Sequence, residues 1–386
     1  MPRGLTTVEL FAGIGGFRLA TDALGLRTRW ANDHCPKAAR VYADRFGVGE
    51  LAVGDIRTLS ARIPPHDLLT GGFPCQPFSS AGKKQGVRDP RGTLFESIIG
   101  VLARCRPRYF VLENVKRLLT MERGYHFATI LSSLAELDYR IEWRLLNAMH
   151  FGLPQNRQRV FIVGVRGDLA GSEPSNLLLA PGEISADELP HLAIGQHGRR
   201  FPTWGLARDG QFAGRDLDAP PTATRVVPIK TILEPDAAAA FDFTASTRRW
   251  LKENRPVERF VQGVEILSNQ AGGARMGYTI FGINGVAPTL TSTTSRHYER
   301  YKIGLRYRRL TNVEYARIQG FPDDHCQAVS TYEQYALLGN AVPPPVARWV
   351  IERLLDGQAG AAPVKGRAST RRSSRSSSGS TAARRS

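Results

Sequence analysis

The stretch from Thr6 to Gly16, TTVELFAGIGG, decides the fold of this chain. Its first half, TTVELF, predicts a strand, and the following AGIGG predicts a tight turn into a helix that ends near Leu24. Phe17, Ala20 and Leu24 then lie on one face of that helix. A strand that enters a helix through a glycine-rich turn is typical of the first unit of an open α/β sheet.

Strand and helix continue to alternate up to about residue 166, with short connections. Ala38, Tyr42 and Phe46 mark one side of a second helix, which begins at Pro36 and ends at Gly47. Further strands are predicted at 28–31, 51–53, 67–70, 109–113, 141–145 and 159–165, and further helices at 94–105 and 127–137. The pattern predicts an open α/β sheet, in which the alternating residues 141–145 form a half-exposed strand.

From Gly167 to about Leu305 this alternation stops, and Gly, Pro, Thr and Arg become frequent. We interpret the segment as an irregular, mostly β insertion. Regular structure resumes at Thr311, where TNVE is a capping-box pattern, and a last helix is expected at 346–355. The residues after Gly357 are mainly Ser, Arg, Ala and Gly, which predicts a disordered basic tail.

The chain of 386 residues carries a net charge of +17. The tail after Asp356 contributes seven of these positive charges and no acidic residue, so the rest of the chain is basic by itself. This charge predicts a polyanionic partner. No apolar run of about 18 residues and no signal-peptide pattern occur, so we expect no membrane span and a cytoplasmic protein. Four scattered cysteines without a CxxC pair favour a reducing compartment over a zinc site or a disulfide framework.

One cysteine has an unusual setting. The stretch from Gly71 to Ser79, GGFPCQPFS, places Cys75 between Pro74 and Pro77. The two prolines restrict the backbone, so we expect a stiff, non-helical loop just after a short buried strand. A lone cysteine is more often a packed core residue, but this setting favours a reactive thiol.

The glycine-rich turn has the features of a cofactor site. It does not match the dinucleotide pattern G-x-G-x-x-G, because position 18 is Arg18. Asp33 ends the second strand and is placed to hold ribose hydroxyls, and Asp55 ends the third strand, where it can accept from an adenine amino group. The turn and the two acids together predict an adenosine-type cofactor without a pyrophosphate.

Glu113 and two arginines are candidates for the reaction itself. Glu113 follows the strand YFVLE, where partial desolvation can raise its pKa and let it donate to a ring nitrogen; the alternative is a helix cap or a surface acid. Arg157 and Arg159 share one face of an extended segment and suit a phosphate or a carboxylate. Two solvated arginines are the alternative for that pair.

Seven stretches together resemble the DNA (cytosine-5)-methyltransferases of bacterial restriction–modification systems. They are FAGIGGF (11–17), GDI (54–56), GGFPCQPFS (71–79), RGTLF (91–95), ENV (113–115), QNRQR (155–159) and GNAVPPPVA (339–347). The resemblance implies an α/β fold with a Rossmann-like S-adenosylmethionine-dependent methyltransferase sheet. It also implies a catalytic and cofactor-binding domain at 1–167 and 306–356, a target-recognition domain at 168–305 and a tail at 357–386.

The resemblance implies a covalent mechanism. Cys75 would add as a thiolate to carbon 6 of a cytosine, so that carbon 5 can accept a methyl group. Glu113 would protonate or hydrogen-bond ring nitrogen 3, and Arg157 and Arg159 would orient the base and brace the thiolate and Glu113 region. Because the target carbon lies inside a stacked duplex, the base would be flipped into the pocket.

The resemblance makes S-adenosylmethionine the methyl donor. The implied pocket residues are Phe11, Gly13, Ile14, Gly15, Asp33, Asp55, Ile56, Leu94, Asn340 and Val342. The sequence departs from the family at two neighbouring positions. The ribose-binding acid is Asp33, where the family more often has Glu, and the next residue is His34, where the family often has Trp.

Two segments are expected to contact DNA. The loop after Cys75 combines glycine hinges with basic residues, which suits closure over a phosphate backbone. In the insertion, a short Thr-Leu element is followed by a dense group of arginines that suits base edges and phosphates. The predicted DNA-binding residues are Ser79, Lys83, Lys84, Arg88, Arg91, Thr289, Leu290 and Arg296.

We therefore expect a monomeric enzyme of the bacterial cytoplasm, at the nucleoid, that methylates carbon 5 of a cytosine in a short duplex site. A cognate restriction endonuclease acting on the same site, without binding this chain, is left open. Two other functions are weighed. A related enzyme acting on transfer RNA is disfavoured by the long insertion, and a DNA-binding module without catalysis is disfavoured by the intact Cys75, Glu113, Arg157 and Arg159.

Overall fold

The computed structural model describes residues 4–74, 94–169, 178, 189–220, 225–246, 249, 254–270, 279–292 and 299–359. The first part of the chain alternates strand and helix: β1 (Thr6–Leu10), α1 (Gly16–Ala23), β2 (Arg27–Asp33), α2 (Pro36–Phe46), β3 (Leu51–Val53), α3 (Ile56–Leu59), β4 (Leu68–Gly72), α4 (Leu94–Cys105), β5 (Tyr109–Val115), α5 (Tyr125–Ala135), β6 (Tyr139–Asn147) and β7 (Gln158–Arg166).

The second part contributes short strands and then helices: β8 (Leu192–Ala193), β9 (Trp204–Arg208), β10 (Gln211–Arg215), β11 (Asn254–Val261), β12 (Val264–Gln270), β13 (Thr279–Phe281), β14 (Arg300–Ile303), β15 (Arg306–Arg308), α6 (Asn312–Gln319), α7 (Thr331–Asn340) and α8 (Pro344–Ala359).

A ten-stranded sheet forms the centre of the molecule, in the order β3-β2-β1-β4-β5-β7-β6-β9-β10-β8. Strands β3, β2, β1, β4 and β5 are parallel, and the strands from β7 outward pair antiparallel. Parallel strands joined by helices need a crossover, which the predicted alternation supplies. The predicted α/β fold with a Rossmann-like sheet is confirmed.

Apolar side chains on both faces of this sheet are covered by helices. Phe110 and Leu112 of β5 pack with α4 and α5 on one face, and Tyr109 and Val111 pack with α1 and α8 on the other. Strands that are buried on both faces belong to a three-layer α/β arrangement. The parallel strands therefore end at one edge of a rigid core, where the site described below lies.

The half-exposed strand predicted at 141–145 is wrong, because β6 is almost wholly buried. Strand β9 pairs with its outer edge, and Trp143 packs against Phe127, Phe201 and Phe212. Strands β8, β9 and β10 come from the segment that we predicted to be a separate insertion, yet they extend the large sheet. The alternating pattern was therefore misleading, since the strands that cover β6 come from a distant part of the sequence.

A second sheet has five strands in the order β11-β12-β13-β14-β15. It packs on the returning helices α6 and α7 through a shared apolar cluster that includes Phe281, Tyr301 and Tyr315. The predicted capping box at Thr311 is present, and Glu314 also forms a fully buried ion pair with Arg308 at 2.7 Å. The exact domain limits at 167, 305 and 356 stay predictions.

No helix in the described ranges is long and apolar enough to cross a membrane.

Candidate active site

A cavity of about 340 Å³ opens at the carboxyl edge of the parallel strands. It is lined by residues from the β1–α1 turn, the ends of β2, β4 and β5, the start of β7 and the turn after α7. This edge of an open α/β sheet is where ligands usually bind. The residues that line the cavity include Glu9, Phe11, Gly13, Ile14, Asp33, Phe73, Pro74, Glu113, Arg157, Arg159, Asn340, Ala341 and Val342.

The glycine-rich turn presents its backbone to this cavity. Gly13 and Gly15 have φ values of 56° and 84°, in the region that favours glycine, and the amide of Gly15 donates to the carbonyl of Ala12 at 2.9 Å. A Cβ atom on Gly15 would lie 2.3 Å from Cε2 of Phe46, so the phenyl ring fills the space beneath the turn. Phe11, Gly13 and Ile14 line the cavity as predicted, whereas Gly15 does not.

Asp33 has a structural contact that the sequence did not reveal. Its Oδ2 accepts from the amide of Gly13 at 2.8 Å, and its Oδ1 accepts from the amide of Cys35 at 2.7 Å. The residue is buried and lines the cavity, so it fixes the turn while it faces a ligand. Each carboxylate oxygen keeps a second acceptor site, because an ionised carboxylate has about four lone-pair positions.

Besides Gly15, three predicted cofactor residues do not line the cavity: Asp55, Ile56 and Leu94. Asp55 caps α3 by accepting from the amide of Arg57 at 2.9 Å, and it forms an ion pair with the same arginine. The hydrogen bond from the Arg57 side chain lowers the pKa of Asp55. Its predicted contact with adenine stays a prediction.

The turn after α7 closes the cavity from the other side. Asn340 and Val342 line it as predicted. A Cβ atom on Gly16 would lie 2.2 Å from the carbonyl oxygen of Val342, so only glycine allows this approach. The C-terminal return of the chain thus packs directly on the first helix.

Glu113 and Arg159 form an ion pair inside the cavity. Nε of Arg159 donates to Oε1 of Glu113 at 2.9 Å, and both side chains are largely buried. Burial raises the pKa of Glu113, and the charges of Arg159 and Arg157 oppose this shift only in part. The direction agrees with the expectation for a desolvated acid at a strand end.

Arg157 is buried and is not one of a pair of solvated arginines. Its two Nη atoms donate to the carbonyls of Leu290 and Ala341, each at 2.9 Å. Its Nε is also buried and has no partner within the part of the chain that the structure describes. One guanidinium therefore joins the Thr-Leu element to the turn after α7.

The Thr-Leu element packs on this arginine. The hydroxyl of Thr289 donates to the carbonyl of Asn156 at 2.6 Å, and Oε1 of Gln155 accepts from the amide of Leu290 at 3.1 Å. The side chain of Leu290 is fully buried in the apolar cluster that the second sheet shares with helices α6 and α7. The predicted DNA contact at these two residues stays a prediction.

Sequence reasoning missed Glu9, which is buried and lines the cavity. Burial raises its pKa to about 8, although the charge of Arg18 and hydrogen bonds from the amides of Arg18 and Phe17 oppose the shift. The hydroxyl of Tyr42 donates to it at 3.4 Å. A single acidic residue within the apolar run TTVELF was the available signal.

Several predicted site residues lie outside the described residues. They are Cys75, Ser79, Lys83, Lys84, Arg88, Arg91 and Arg296. Pro74, which precedes Cys75 in the sequence, lines the cavity. Within the described ranges, no group of three or more His, Cys, Asp or Glu side chains could hold a metal ion.

Comparison with known proteins identifies a matching family model and similar methyltransferases. A family model described as C-5 cytosine-specific DNA methylase matches residues 5–356. The type II methyltransferase M1.ScrFI of Lactococcus lactis subsp. cremoris is 32% identical over 360 residues, covering 90% of this chain and 77% of that protein. The type II methyltransferase M.NlaX of Neisseria lactamica is also 32% identical, covering 90% of this chain and 95% of that protein.

Solved structures resemble the fold. The Dnmt2 methyltransferase of S. pombe superposes with a TM-score of 0.62 at 19% identity, covering 91% of this chain and 98% of that one. DNMT2 of Spodoptera frugiperda gives a TM-score of 0.60 at 20% identity, covering 91% and 99%. At these identities the likeness concerns the fold alone.

Proposed function

The chain belongs to the C-5 cytosine-specific DNA methylases, and on this premise we propose that it methylates carbon 5 of a cytosine in a specific short sequence of double-stranded DNA. The observation that carries the proposal is a single cavity in which a glycine-rich turn meets the Glu113–Arg159 pair. The turn suits a nucleoside cofactor, and the pair suits a cytosine ring.

S-adenosylmethionine is the proposed cofactor, and it would supply an electrophilic methyl group. The residues present fit such a molecule. Gly13 leaves open space at the cavity that a side chain would fill, and Asp33 faces the cavity with free acceptor sites for ribose hydroxyls. Phe11 and Phe73 supply apolar surface, and Asn340 and Val342 close the opposite wall.

Cys75 is the proposed nucleophile. Its thiolate would add to carbon 6 of the cytosine, and the electron pair of the 5,6 double bond would move onto carbon 5. Carbon 5 would then bond to the methyl carbon, whose bond to the sulfonium sulfur breaks. Loss of the proton on carbon 5 and departure of Cys75 as a thiolate would restore the double bond and release 5-methylcytosine.

Glu113 and the arginines assist that addition. A protonated Glu113 can donate to ring nitrogen 3, which makes the ring a better electron sink as negative charge develops. Arg159 holds the Glu113 carboxyl in place at 2.9 Å, and its positive charge also favours a nearby thiolate. Arg157 is proposed as a positioning residue, because two of its N–H groups are occupied by backbone carbonyls.

Access to the base requires base flipping. The proposal is supported by the burial of Glu113 within the cavity, since a cytosine that stays stacked in a duplex would have to enter with its whole helix. We propose that segment 168–305 reads the target sequence and that Ser79, Lys83, Lys84, Arg88 and Arg91 hold the phosphate backbone. Arg296, Thr289 and Leu290 complete the proposed DNA contacts.

The biological setting is proposed from the relatives. Curated relatives named type II methyltransferases suggest that this enzyme protects DNA in a restriction–modification system of the bacterial cytoplasm. A monomer is proposed, with duplex DNA as its partner, and any cognate endonuclease would share the target site without binding this chain. Of the tail predicted at 357–386, residues 357–359 belong to α8, and residues 360–386 lie outside the described residues.

The function can be tested with plasmid from cells that express the protein. Bisulfite sequencing should reveal protected cytosines in one repeated motif, and Cys75→Ala should leave every cytosine converted while duplex binding is retained. Duplex DNA carrying 5-fluorocytosine at the target should form a stable adduct with the wild-type protein and S-adenosylmethionine, and peptide mapping should place it at Cys75. Methylation of transfer RNA instead of duplex DNA, or turnover by Cys75→Ala, would contradict the proposal.

A further inference from the structure

His325 lies beneath the glycine-rich turn, although it is separated from that turn by 311 positions in the sequence. Its side chain is fully buried, and its Nε2 lies 2.6 Å from the carbonyl oxygen of Ile14. A carbonyl only accepts hydrogen bonds, so Nε2 must carry the proton and donate. None of the predicted site residues lies in the segment from Phe321 to Cys326.

The imidazole is held in place by its surroundings. Its ring packs against Phe321 and Phe46, with centroid separations of 4.7 and 6.0 Å. Its own backbone amide donates to the carbonyl of Pro322 at 3.1 Å, and Arg45 of α2 forms an ion pair with the adjacent Asp324 at 3.0 Å. The segment that carries His325 is therefore anchored to α2, next to the turn.

The surroundings of the imidazole favour its neutral form. Burial lowers the pKa of His325, and the charge of Arg45 acts in the same direction, against the hydrogen bond to Ile14 and the charges of Asp324 and Asp44. Nδ1 is buried and has no hydrogen-bond partner in the described ranges. The hydrogen bond from Nε2 to Ile14 is thus the single described polar contact of this ring.

The contact fixes one particular peptide group of the turn. The peptide between Ile14 and Gly15 has its carbonyl held by His325 and its N–H held by the carbonyl of Ala12 at 2.9 Å. Gly13 and Gly15, on either side of Ile14, both have positive φ values. Glycines allow several backbone conformations, so a peptide between them can rotate unless both of its polar groups are bonded.

We propose that His325 is a positioning residue for the cofactor: by holding the carbonyl of Ile14, it keeps the glycine-rich turn in the conformation that binds S-adenosylmethionine. This inference rests on the proposed function for the identity of the cofactor. The contact also explains why the C-terminal return is needed for a site built mainly from the first part of the chain. Without the donor, the buried carbonyl of Ile14 would lose its partner and the peptide would be free to rotate.

A pair of substitutions with side chains of equal length isolates the donor. His325→Gln keeps an N–H group near the position of Nε2, whereas His325→Met has a similar shape and no donor. Cys326→Ala is the control for a general weakening of the same buried segment, because it shortens a neighbouring buried side chain and leaves the His325 donor in place. All four proteins would be compared as full-length chains.

Two measurements decide the question. In the first, calorimetric titration should show that His325→Met binds S-adenosylmethionine about tenfold more weakly than His325→Gln, as expected when a buried carbonyl loses its donor. The KM for the cofactor should rise accordingly, with kcat at saturating cofactor little changed. Cys326→Ala should lower the melting temperature without this loss of affinity.

In the second, hydrogen exchange is measured without cofactor. Residues 11–19 should exchange about tenfold faster in His325→Met than in His325→Gln, because the turn opens more often. Equal affinity and equal exchange in the two variants would overturn the proposal. A wild-type protein that binds no S-adenosylmethionine would refute the proposed function, whereas the exchange result would still decide whether His325 holds the turn.

Discussion

Nε of Arg159 donates to Oε1 of Glu113 at 2.9 Å, across the antiparallel pair formed by β7 and β5. Burial raises the pKa of Glu113 even though this guanidinium is in contact with it. The pair therefore keeps a carboxyl with a raised pKa beside a guanidinium. Such an arrangement suits a donor to a ring nitrogen, because Arg159 fixes the orientation of the carboxyl while burial raises its pKa by more than the arginine lowers it.

Glu113→Gln should reduce kcat by roughly 10²–10⁴, the range that general acid catalysis supplies. The amide has the same shape and can still donate a hydrogen bond, but it cannot transfer a proton. In the wild type, kcat should fall as the pH rises through the raised pKa of Glu113, because the protonated form is lost. The measurement is methyl transfer to a duplex substrate across a pH series, with the cofactor saturating.

The control for this variant is binding. Glu113→Gln should retain affinity for the cofactor and for duplex DNA within a few-fold, since the folded structure keeps its shape. A variant with unchanged kcat would assign Glu113 a structural role. A variant whose pH profile still matched the wild type would mean that another group controls that limb of the profile.

Arg157→Lys should weaken the linkage between the Thr-Leu element and the turn after α7. The lysine has one charged nitrogen, so it cannot reach the carbonyls of both Leu290 and Ala341 as the guanidinium does. Each buried carbonyl left without a donor costs about 1–3 kcal/mol of folding free energy. Chemical denaturation should therefore show a lower free energy of unfolding, by an amount in that range.

A matched comparison separates stability from catalysis. Arg159→Lys removes the contact with Glu113 but leaves both carbonyls paired with Arg157. Of the two variants, Arg159→Lys should show the larger loss of kcat, and Arg157→Lys should show the larger loss of unfolding free energy. The same ranking of the two variants in both measurements would contradict the positioning role proposed for Arg157.

The parts of the site that sequence alone predicted are those carried by local patterns. The glycine-rich turn, the strand that carries Glu113 and the capping box at Thr311 depend on neighbouring residues, and all three are present, although the strand runs on to Val115. The partners of Arg157 were not predictable, because they lie 133 and 184 positions away. The contact of His325 with Ile14 was not predictable for the same reason, since it depends on how the C-terminal return packs.

The burial of β6 shows a second limit. An alternating pattern predicts one exposed face only if no other strand or side chain covers it. Here β9 and the aromatic residues Phe201 and Phe212 come from a region with weak periodicity, so the pattern gave no warning of them. Asp33 illustrates the same point in the site, because its bond to the amide of Gly13 depends on the three-dimensional turn.

Asp33→Asn should weaken cofactor binding by about tenfold, the equivalent of roughly 1.4 kcal/mol. In the wild type, the two carboxylate oxygens accept from the amides of Gly13 and Cys35. The asparagine amide has one oxygen, so its NH₂ group would face one of these N–H donors and the turn would shift. Titration with S-adenosylmethionine measures the change, and unaltered affinity would remove Asp33 from both the turn and the ribose contact.

Glu9→Gln should remove a pH-dependent part of the protein's stability. Burial raises the pKa of Glu9 from 4.5 to about 8, so the folded state binds this proton more tightly than the unfolded state. The contribution of Glu9 to the free energy of unfolding is therefore fully present below about pH 4.5 and is lost as the pH rises through about 8.

A shift of this size corresponds to several kcal/mol, because each pKa unit is worth about 1.4 kcal/mol. The glutamine resembles the protonated form, so the variant should unfold like the wild type at pH 4, below the pKa of Glu9 in the unfolded chain. At pH 9 it should be the more stable of the two, since the wild type must then carry a buried charge that Arg18, Phe17 and Tyr42 stabilise only in part. Chemical denaturation of both proteins at the two pH values gives the difference directly, and other titrating groups cancel because both chains share them. Parallel stability curves for the two proteins would show that Glu9 is already ionised in the folded state at neutral pH.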